Sequence, residues 1–497
     1  MFLAGGIMND FEVVIGLEVH AQLLTKSKMF CSCSSDYQDA KPNSLTCPVC
    51  LGLPGSLPKI NQQAINLGII AGLATNCTIS QKTKFDRKNY CYPDLMKGYQ
   101  ISQYDLPVAT DGFLSITSND ASKLVRIQRI HLEEDVAKLI HEENGLNSKS
   151  SYIDVNRSGV ALMEIVSHPD FSTPDEVITY LSELKSILQF CKVSDANMEE
   201  GNFRCDANIS LKPIGSETLG TKVEIKNMNS FRSIHSAINY ETQRQSEILY
   251  EGKSVVQETR GWDDANQVTL NQRLKEGESD YMYFPEPDLP PIFISSELVK
   301  NFEKQIPILP SVRKQLYLDQ YKLSDKDANQ LLSDINYSDY FDLVFTNASI
   351  SKFPNIAKTI CNLMNGELTR LLKVESIDIK DTKIKPEDFL ELCLLIENNS
   401  VSSNMAKKVL KDMFLTGDSP KKIADKNNIS QITDEDYISE NVSNVLNQNQ
   451  DAVKDFVQGK SAAKQFLIGQ IMKSTSGKAD PRLIDKLLQE FLDKLSN

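Results

Sequence analysis

A stretch near the middle of the chain places ionisable and amide side chains at every second position. It runs from Met198 to Phe231 and reads MEEGNFRCDANISLKPIGSETLGTKVEIKNMNSF, two alternating runs around a polar turn that contains glycine. Apolar residues fill most of the intervening positions, so the pattern predicts a hairpin with one apolar and one polar face. Carboxylates, amides and cations together suit a metal–phosphate site, and an ordinary solvated sheet face is the alternative. The polar positions are Arg204, Asp206, Asn208, Ser210, Lys222, Glu224 and Lys226.

Two other predicted strands carry groups of the same chemistry. The alternating run FEVVIGLEVHAQL places Glu18 and His20 on one face. A carboxylate and an imidazole two residues apart can bind a divalent cation together, although such a pair is more often structural unless other carboxylates converge on it. The run VRIQRIHLEED ends in three acids, among them Glu133 and Glu134, which is a reasonable metal-binding edge.

Four cysteines lie close together as Cys31-x-Cys33 and Cys47-Pro-x-Cys50. Two close thiol pairs separated by a short loop match a four-thiolate zinc knuckle, which we place at residues 31–50. Buried free cysteines are the alternative, but the polar segment between the pairs has little to bury. Because four protein ligands leave no open position on zinc, we expect a structural rather than a catalytic metal.

Cations alternate with tyrosines in the stretch KFDRKNYCYPDLMKGYQISQYDLP, residues 84–107. Its two prolines exclude a regular helix, so we expect a loop. Positive side chains interleaved with aromatic rings suit phosphates and stacked bases, and we expect Lys88 to contact a nucleotide. The cations are Lys84, Arg87, Lys88 and Lys97.

The bulk composition describes a globular protein of several domains. The 497 residues are too many for one core, and 40% of them are hydrophobic and 24% charged. The formal charge of −13 means that nucleic-acid binding needs a local basic surface. No apolar run has the length of a membrane span, and the first residues are not a convincing signal peptide. The scattered cysteines favour a reducing, cytoplasmic environment. We expect the chain to start at Met1 or Met8.

Motifs along nearly the whole chain resemble the B subunit of the aspartyl/glutamyl-tRNA amidotransferase family. They are VIGLEVHAQL, KFDRKN, YPDL, GYQISQYD, LEED, SGVALMEIVS, EEGNFRCDANIS, KVEIKNMNSF, DYMYFPEPDLPP and GKADPRLID. The resemblance implies that ATP activates the side-chain carboxylate of a mis-acylated Glu-tRNA(Gln) or Asp-tRNA(Asn) as an acyl phosphate. Ammonia then displaces phosphate to give Gln-tRNA or Asn-tRNA. The implied partners are an amidase subunit, which releases the ammonia from glutamine, and a small third subunit.

The resemblance also implies roles for individual residues. Lys97 resembles the lysine that pairs with an acid of the LEED motif, here Glu134, at the exit of an ammonia channel. Cys91 and Met96 depart from the residues usual in the neighbouring motif. The strand pattern, rather than the family, makes Arg204, Lys222 and Lys226 candidates for phosphate contacts. The family's magnesium cluster carries over onto Glu18, His20, Glu133, Glu134, Asp206 and Glu224.

The last part of the chain changes to helical spacing and resembles the YqeY-like domain that grips tRNA in this family. Between residues 458 and 479 there are lysines and no acids, which suits sequence-independent attraction to phosphates. A solvated lysine-rich helix face is the alternative. The lysines are Lys460, Lys464, Lys473 and Lys478.

We therefore expect an α+β protein in which an antiparallel-sheet catalytic domain with a zinc knuckle precedes two helical parts. The expected limits are a disordered N-terminus at 1–10, the catalytic domain at 11–294, a helical linker module at 295–345 and the YqeY-like tail at 346–497. A zinc-containing tRNA-binding scaffold without its own catalysis is the alternative function. The archaeal glutamyl-specific relative is excluded, because no segment is long enough to be its inserted domain.

Overall fold

The chain divides into two compact units, Met1–Pro310 and Ser311–Asn497. The computed structural model describes residues 10–118, 121–141, 151–274, 282–346, 353–398, 400–426, 435–457, 461–475, 479 and 481–496. The predicted disordered segment 1–10 lies, except for Asp10, outside the described residues. Among the described helices, none has the length and apolar character needed to cross a membrane.

All strands in the described residues belong to the first unit. In chain order they are β1 (Phe11–Gln22), β2 (Thr78–Ile79), β3 (Lys82–Thr83), β4 (Asp86–Asn89), β5 (Tyr99–Ser102), β6 (Ala109–Ser118), β7 (Ala121–Glu134), β8 (Lys138–His141), β9 (Ser151–Asp154), β10 (Ala161–Ser167), β11 (Phe203–Pro213), β12 (Val223–Lys226), β13 (Glu258–Asp263), β14 (Val268–Leu274), β15 (Met282–Pro285) and β16 (Ile292–Phe293).

Helices are few in the first unit and make up the second. In chain order they are α1 (Gln62–Ala74), α2 (Pro174–Phe190), α3 (Phe231–Tyr250), α4 (Ser296–Glu303), α5 (Pro310–Asp319), α6 (Asp325–Leu331), α7 (Ile335–Thr346), α8 (Ile356–Leu363), α9 (Thr369–Glu375), α10 (Pro386–Glu397), α11 (Ser403–Thr416), α12 (Pro420–Lys426), α13 (Glu435–Gln448), α14 (Gln450–Val457), α15 (Ser461–Ser474) and α16 (Pro481–Ser496). A π-helical turn at Met364–Leu368 joins α8 to α9, and a 3₁₀ turn lies at Ile379–Asp381.

β1 is the central strand of the main sheet. In the described part of the chain this sheet has nine strands in the order β14-β13-β12-β11-β1-β10-β7-β6-β2. Its pairs are antiparallel except for β12 and β13, which are parallel. A smaller sheet has the order β15-β4-β5, and two strand pairs, β16-β3 and β8-β9, complete the set. The expected α+β class with a largely antiparallel sheet is confirmed.

The alternation along β1 gives the sheet one apolar and one polar face. Leu17, Val19 and Ala21 are buried in the core, while Glu18 and His20 point to the other face. α1, α2 and α3 pack on β7, β6 and β11 respectively. Burying one large aliphatic side chain contributes about 1.5–3 kcal/mol, so the helices fix the apolar face and leave the polar residues on the opposite one.

α2 shows how local sequence fixes these helices. It begins at a capping box, in which the Thr173 hydroxyl accepts a hydrogen bond from the backbone N–H of Glu176, with Pro174 at the first helical position. Its apolar stripe, which includes Val177 and Leu184, is buried in the core of the first unit. The capping box and the stripe were both readable from the sequence.

The second unit contains two separate hydrophobic cores among the described residues. The first joins residues between Tyr317 and Ile423, and the second joins residues between Ile438 and Leu488. Helices on both sides of residue 345 therefore share one core. Phe302 of α4 packs instead into the core of the first unit. The domain limits drawn from the sequence at 294 and 345 stay predictions.

Candidate functional site

Strand register brings the polar residues of four motifs onto one face of the main sheet. Glu18 lies opposite Asp206 on β11, and His20 lies opposite Arg204. On its other side, His20 lies opposite Glu164 of β10. Directly opposed residues of antiparallel strands project to the same face, about 5 Å apart at Cβ, so these side chains can act together.

A histidine–carboxylate cluster forms where β1, β10 and β7 meet. The Nε2 of His20 lies 3.3 Å from a carboxylate oxygen of Glu164 and 3.8 Å from one of Glu133. The Nε2 of His131 lies 3.1 Å from the same oxygen of Glu164. Glu133, Glu164 and His131 are buried. We call His20, Glu133 and Glu164 the His20 cluster.

Electrostatics in the His20 cluster favour ionised groups. Burial works to lower the pKa of His20, but the carboxylates of Glu164, Glu133 and Asp206 outweigh it, so the pKa lies above its ordinary value. Burial likewise works to raise the pKa of Glu164, but the two imidazoles hold it well below its ordinary value. Glu164 is therefore a carboxylate at neutral pH, as a metal ligand must be, whereas His20 has to lose its proton before its imidazole can bind a metal.

The geometry of the His20 cluster fits a divalent cation. One ligand atom from each of its three residues lies within 4.8 Å of the other two. Two carboxylates supply the oxygen ligands that magnesium prefers, and an imidazole is compatible with several divalent metals. Glu164 was missed by the sequence analysis, although a single acid within the apolar run ALMEIVS was a readable signal.

Two of the predicted metal ligands are held by a lysine in this structure. The Nζ of Lys226 lies 2.8 Å from Asp206 and 3.2 Å from Glu224. Burial works to lower the pKa of Lys226, but these carboxylates raise it above its ordinary value. Thr259 of β13 donates a hydrogen bond of 2.8 Å to Glu224. Lys226 is therefore a cation on the polar face, held in this structure by two carboxylates.

Glu18 completes the predicted set on this face. Its carboxylate accepts a hydrogen bond of 2.9 Å from the side-chain amide of Asn208. Asn208 in turn lies opposite Glu224 in the β11–β12 register. Through Asn208, Glu18 is thus linked to Lys226 and its two carboxylate partners, and not directly to the His20 cluster.

Arg204 is anchored by a buried acid. Its Nη2 lies 2.9 Å from Asp135, which also accepts a hydrogen bond of 2.8 Å from Gln22. Arg157 lies on the other side of the Asp135 carboxylate, at 3.7 Å. Burial works to raise the pKa of Asp135, but the two arginines lower it below its ordinary value. Arg204 remains 39% exposed at its side chain, which leaves it accessible to an anion.

The other two predicted phosphate contacts lie elsewhere. Lys222 is exposed and precedes the first residue of β12, so it lies outside the ladder of the main sheet. Lys88 lies on β4 in the smaller sheet, with its Nζ 5.9 Å from the centre of the Tyr90 ring. The structure does not bring either residue to the His20 cluster, and both assignments stay predictions.

Glu134 points away from Glu133 and pairs with Lys97. The Nζ of Lys97 contacts both carboxylate oxygens of Glu134, one of them at 2.6 Å. The backbone N–H of Ile101 donates a further hydrogen bond of 2.9 Å to this carboxylate. Both side chains are mostly buried, with 13% and 5% of their surfaces exposed. Glu134 therefore lies with Lys97 and not in the His20 cluster.

The four clustered cysteines converge as a metal site requires. One sulfur from each of Cys31, Cys33, Cys47 and Cys50 lies within 4.8 Å of the others, and none is in a disulfide. The Sγ atoms of Cys47 and Cys50 are 3.9 Å apart. Four sulfurs at about 2.3 Å from a tetrahedral zinc ion would lie roughly 3.8 Å from one another, so the spacing fits. The cluster can hold a metal ion.

The surroundings of the cysteine cluster favour the thiolate at Cys50 and the neutral thiol at two of the other cysteines. Hydrogen bonding with Cys50 raises the pKa of Cys31, and burial raises the pKa of Cys33. Hydrogen bonding from the Cys31 thiol, with help from the Cys47 backbone N–H and nearby Lys28, lowers the pKa of Cys50 to about 4 against the effect of burial. Lys28 is fully buried and its Nζ donates to the backbone carbonyls of Leu45 and Val155. A buried cation beside four thiols offsets the negative charge that metal binding creates.

The predicted tRNA-binding lysines fall in the tail. Lys464 on α15 is paired with Asp485 at 2.8 Å, whereas Lys473 is exposed at the end of the same helix. Lys460 and Lys478 lie outside the described residues. Of the two lysines that the structure describes, Lys473 offers the more accessible charge.

Comparison with known proteins gives matches over almost the whole chain. The model of the GatB/GatE catalytic domain matches residues 13–300, and that of the GatB domain matches residues 344–492. A protein of Dehalococcoides mccartyi is 47% identical over 491 residues, which cover 98% of this chain and 100% of the relative. A protein of Carboxydothermus hydrogenoformans is 46% identical over 488 residues, with 98% and 100% coverage. Both relatives are named as the B subunit of aspartyl/glutamyl-tRNA(Asn/Gln) amidotransferase.

Proposed function

Since the chain belongs to the family formed by the B subunit of aspartyl/glutamyl-tRNA(Asn/Gln) amidotransferase, we propose that it is the activating and amide-forming member of such a ligase. Its substrates are mis-acylated Glu-tRNA(Gln), Asp-tRNA(Asn) or both. An oxygen of the side-chain carboxylate attacks the γ-phosphorus of ATP, and ADP leaves. Ammonia then attacks the acyl carbon, phosphate leaves, and the product is Gln-tRNA(Gln) or Asn-tRNA(Asn).

The observation that carries the proposal is the convergence of His20, Glu133 and Glu164 on one face of the main sheet. An attacking carboxylate and a triphosphate repel each other, so the site must supply positive charge. Magnesium, when bound at the His20 cluster, would neutralise the phosphates. Asp206, Glu224 and Glu18 are further proposed ligands on the same face.

Two cations on the same face are proposed to bind the phosphates. Arg204 is held in place by Asp135, so its guanidinium needs no reordering when an anion binds. Lys226 would move from Asp206 and Glu224 toward a phosphate when a metal occupies those carboxylates. Lys222 and Lys88 are proposed as more distant contacts to the nucleotide.

The remaining assignments concern ammonia, zinc and partners. Lys97 and Glu134 are proposed to line the route of ammonia to the acyl phosphate. The cysteine cluster is proposed to bind structural zinc, which the sulfur spacing supports. An amidase subunit, which hydrolyses glutamine, and a small third subunit would complete a heterotrimer in the cytoplasm. The tail with Lys460, Lys464, Lys473 and Lys478 would bind tRNA.

A reconstitution assay tests the proposal. The chain is combined with its two partner subunits, ATP, magnesium and glutamine, and supplied separately with Glu-tRNA(Gln) and Asp-tRNA(Asn). We expect amide formation on at least one tRNA, together with ADP release that depends on the mis-acylated tRNA. The absence of ATP-dependent amide on both tRNAs would refute the proposal. The scaffold alternative has no observation in its favour, since the acids and cations of the polar face are intact.

A further inference from the structure

A glycine directly after the cysteine cluster lies against the backbone of Lys97. Gly52 has a φ of +67°. A Cβ atom built on it would lie 2.7 Å from Cγ of Lys97, 2.9 Å from the carbonyl oxygen of Met96 and 3.0 Å from Cα of Lys97. Two of these three atoms belong to the backbone and cannot rotate away. Only a residue without a side chain therefore allows the two segments to approach this closely.

The segment that contains Gly52 is fastened to the cysteine ligands. The backbone N–H groups of Leu51 and Gly52 donate to the carbonyl oxygens of Cys47 and Val49, each at 3.0 Å. Ser158 donates from its hydroxyl to the carbonyl oxygen of Cys50 at 3.3 Å. The position of Gly52 is thus set by the residues that hold the metal site.

Lys97 lies in the loop between β4 and β5, residues 90–98, which we call the Lys97 loop. The loop is tied to the segment after β7 by a backbone hydrogen bond of 3.1 Å, from Ala137 to the carbonyl of Asp94. Its lysine must nonetheless reach a buried carboxylate, and ordering a long lysine side chain costs conformational entropy. A fixed surface beneath Cα of Lys97 removes backbone freedom that would add to this cost.

We propose that the turn at Gly52 is a positioning element that couples the cysteine cluster to the Lys97–Glu134 pair. A metal in the cluster fixes the turn, and the turn holds the lysine backbone at the distance from which its amine reaches Glu134. The contribution to ammonia use rests on the proposed function of Lys97. The mechanical coupling stands on the contacts alone.

Chemical labelling of Lys97 tests the coupling without an activity assay. The full-length, zinc-loaded chain is treated with an acylating reagent, and the labelling rate of Lys97 is measured by mass spectrometry relative to exposed Lys300. Gly52→Ala is compared with Gly55→Ala, in the same loop. Gly55 has a φ of +83°, so alanine is strained there too, but a Cβ at Gly55 would meet no atom within 4 Å.

We expect Gly52→Ala to increase the labelling of Lys97 by about tenfold, since overpacking one contact typically shifts a local equilibrium by that order. Gly55→Ala should leave it unchanged. Removal of zinc from the wild-type chain with a chelator should also increase labelling of Lys97, and this arm holds even if Gly52→Ala fails to retain the metal. Equal labelling in both variants, with no response to chelation, would overturn the proposal.

The activity arm separates this inference from the proposed function. In the reconstituted complex, Gly52→Ala should lower amide formation per glutamine hydrolysed, and adding Gly52→Ala to Lys97→Met should have no further effect. If Lys97→Met alone left amide formation normal, the proposed role of Lys97 would fail while the labelling result continued to decide the coupling.

Discussion

His20 and Glu164 occupy directly opposed positions on neighbouring antiparallel strands, and the imidazole Nε2 lies 3.3 Å from the carboxylate. Glu164 also contacts His131, so one buried carboxylate joins two imidazoles. The strand register, rather than a loop, fixes this arrangement. A site built on paired strands has little freedom to adjust when one of its groups is removed.

Replacement of His20 or Glu164 is expected to abolish amide formation. His20→Ala removes a proposed metal ligand, and Glu164→Gln keeps the shape of the side chain but removes the charge that joins the cluster. Loss of one such group should lower the rate by about 10²–10³-fold or more, while glutamine hydrolysis by the amidase partner continues. The rate of ADP release with mis-acylated tRNA measures the effect. His235→Ala is the matched control, because His235 and Asp175 form a similar pair at 3.3 Å on the surface. Near-normal rates in both cluster variants would contradict the assignment.

The cysteine cluster is expected to bind about one zinc ion per chain. Cys47→Ser should abolish zinc binding, because a hydroxyl is a poor ligand for this metal. Cys91→Ser should retain it, since Cys91 is an exposed cysteine outside the cluster. Metal analysis of the purified chain measures the stoichiometry, and thermal unfolding should show a lower Tm for the variant without metal. Purified wild-type chain that lacks zinc and cannot be loaded with it would rule out the zinc assignment.

The Lys97–Glu134 pair is expected to contribute to stability as well as to function. Lys97→Met leaves a buried carboxylate without its cation, which typically costs about 3–5 kcal/mol. Glu134→Gln in the same chain should recover much of the loss, because the backbone N–H of Ile101 can still donate to the neutral amide. Denaturant unfolding measures the free energy of unfolding of the first unit in both single variants and in the double variant, and the comparison gives the coupling energy of the pair. Additive losses in the double variant would show that the pair does not interact.

The tail is expected to bind tRNA through exposed charge. Lys473→Ala should weaken binding at low salt and reduce the slope of log K against log salt by roughly 0.7–0.9. Lys464→Ala should have a smaller effect, because Asp485 already neutralises Lys464.

Deletion of residues 427–497 removes the last core and leaves the preceding one intact, whereas a cut near residue 400 would divide that core. Filter binding at several salt concentrations measures the tRNA affinity of the lysine variants and of the deletion. Unchanged tRNA affinity after the deletion would contradict the role of the tail.

Sequence alternation predicted the shared face well because it depends only on strand period. Asp206 and Glu224 lie on one face, and the β11–β12 register pairs Asn208 with Glu224. The same period places Glu133 and Glu134 on opposite faces of β7, although the family resemblance assigns both to one magnesium cluster. Glu164 escaped notice because β10 is buried on both faces and shows no alternation. The contact of Gly52 with Lys97 joins loops that are distant in the chain, and no local sequence pattern predicts it.

The central position of β1 has a consequence for how the protein is made. β1 ends at Gln22, whereas its two neighbours, β10 and β11, begin at Ala161 and Phe203, so β1 leaves the ribosome long before either of them. At about 5–20 residues per second, the strand must wait roughly 10–40 s for its second partner to be synthesised. Both edges of β1 stay unpaired until β10 is made, and one edge stays unpaired until β11 follows. An unpaired strand edge is a template for aggregation. His20, one residue of the proposed metal site, therefore lies on a strand that a chaperone would have to protect until its partners are made.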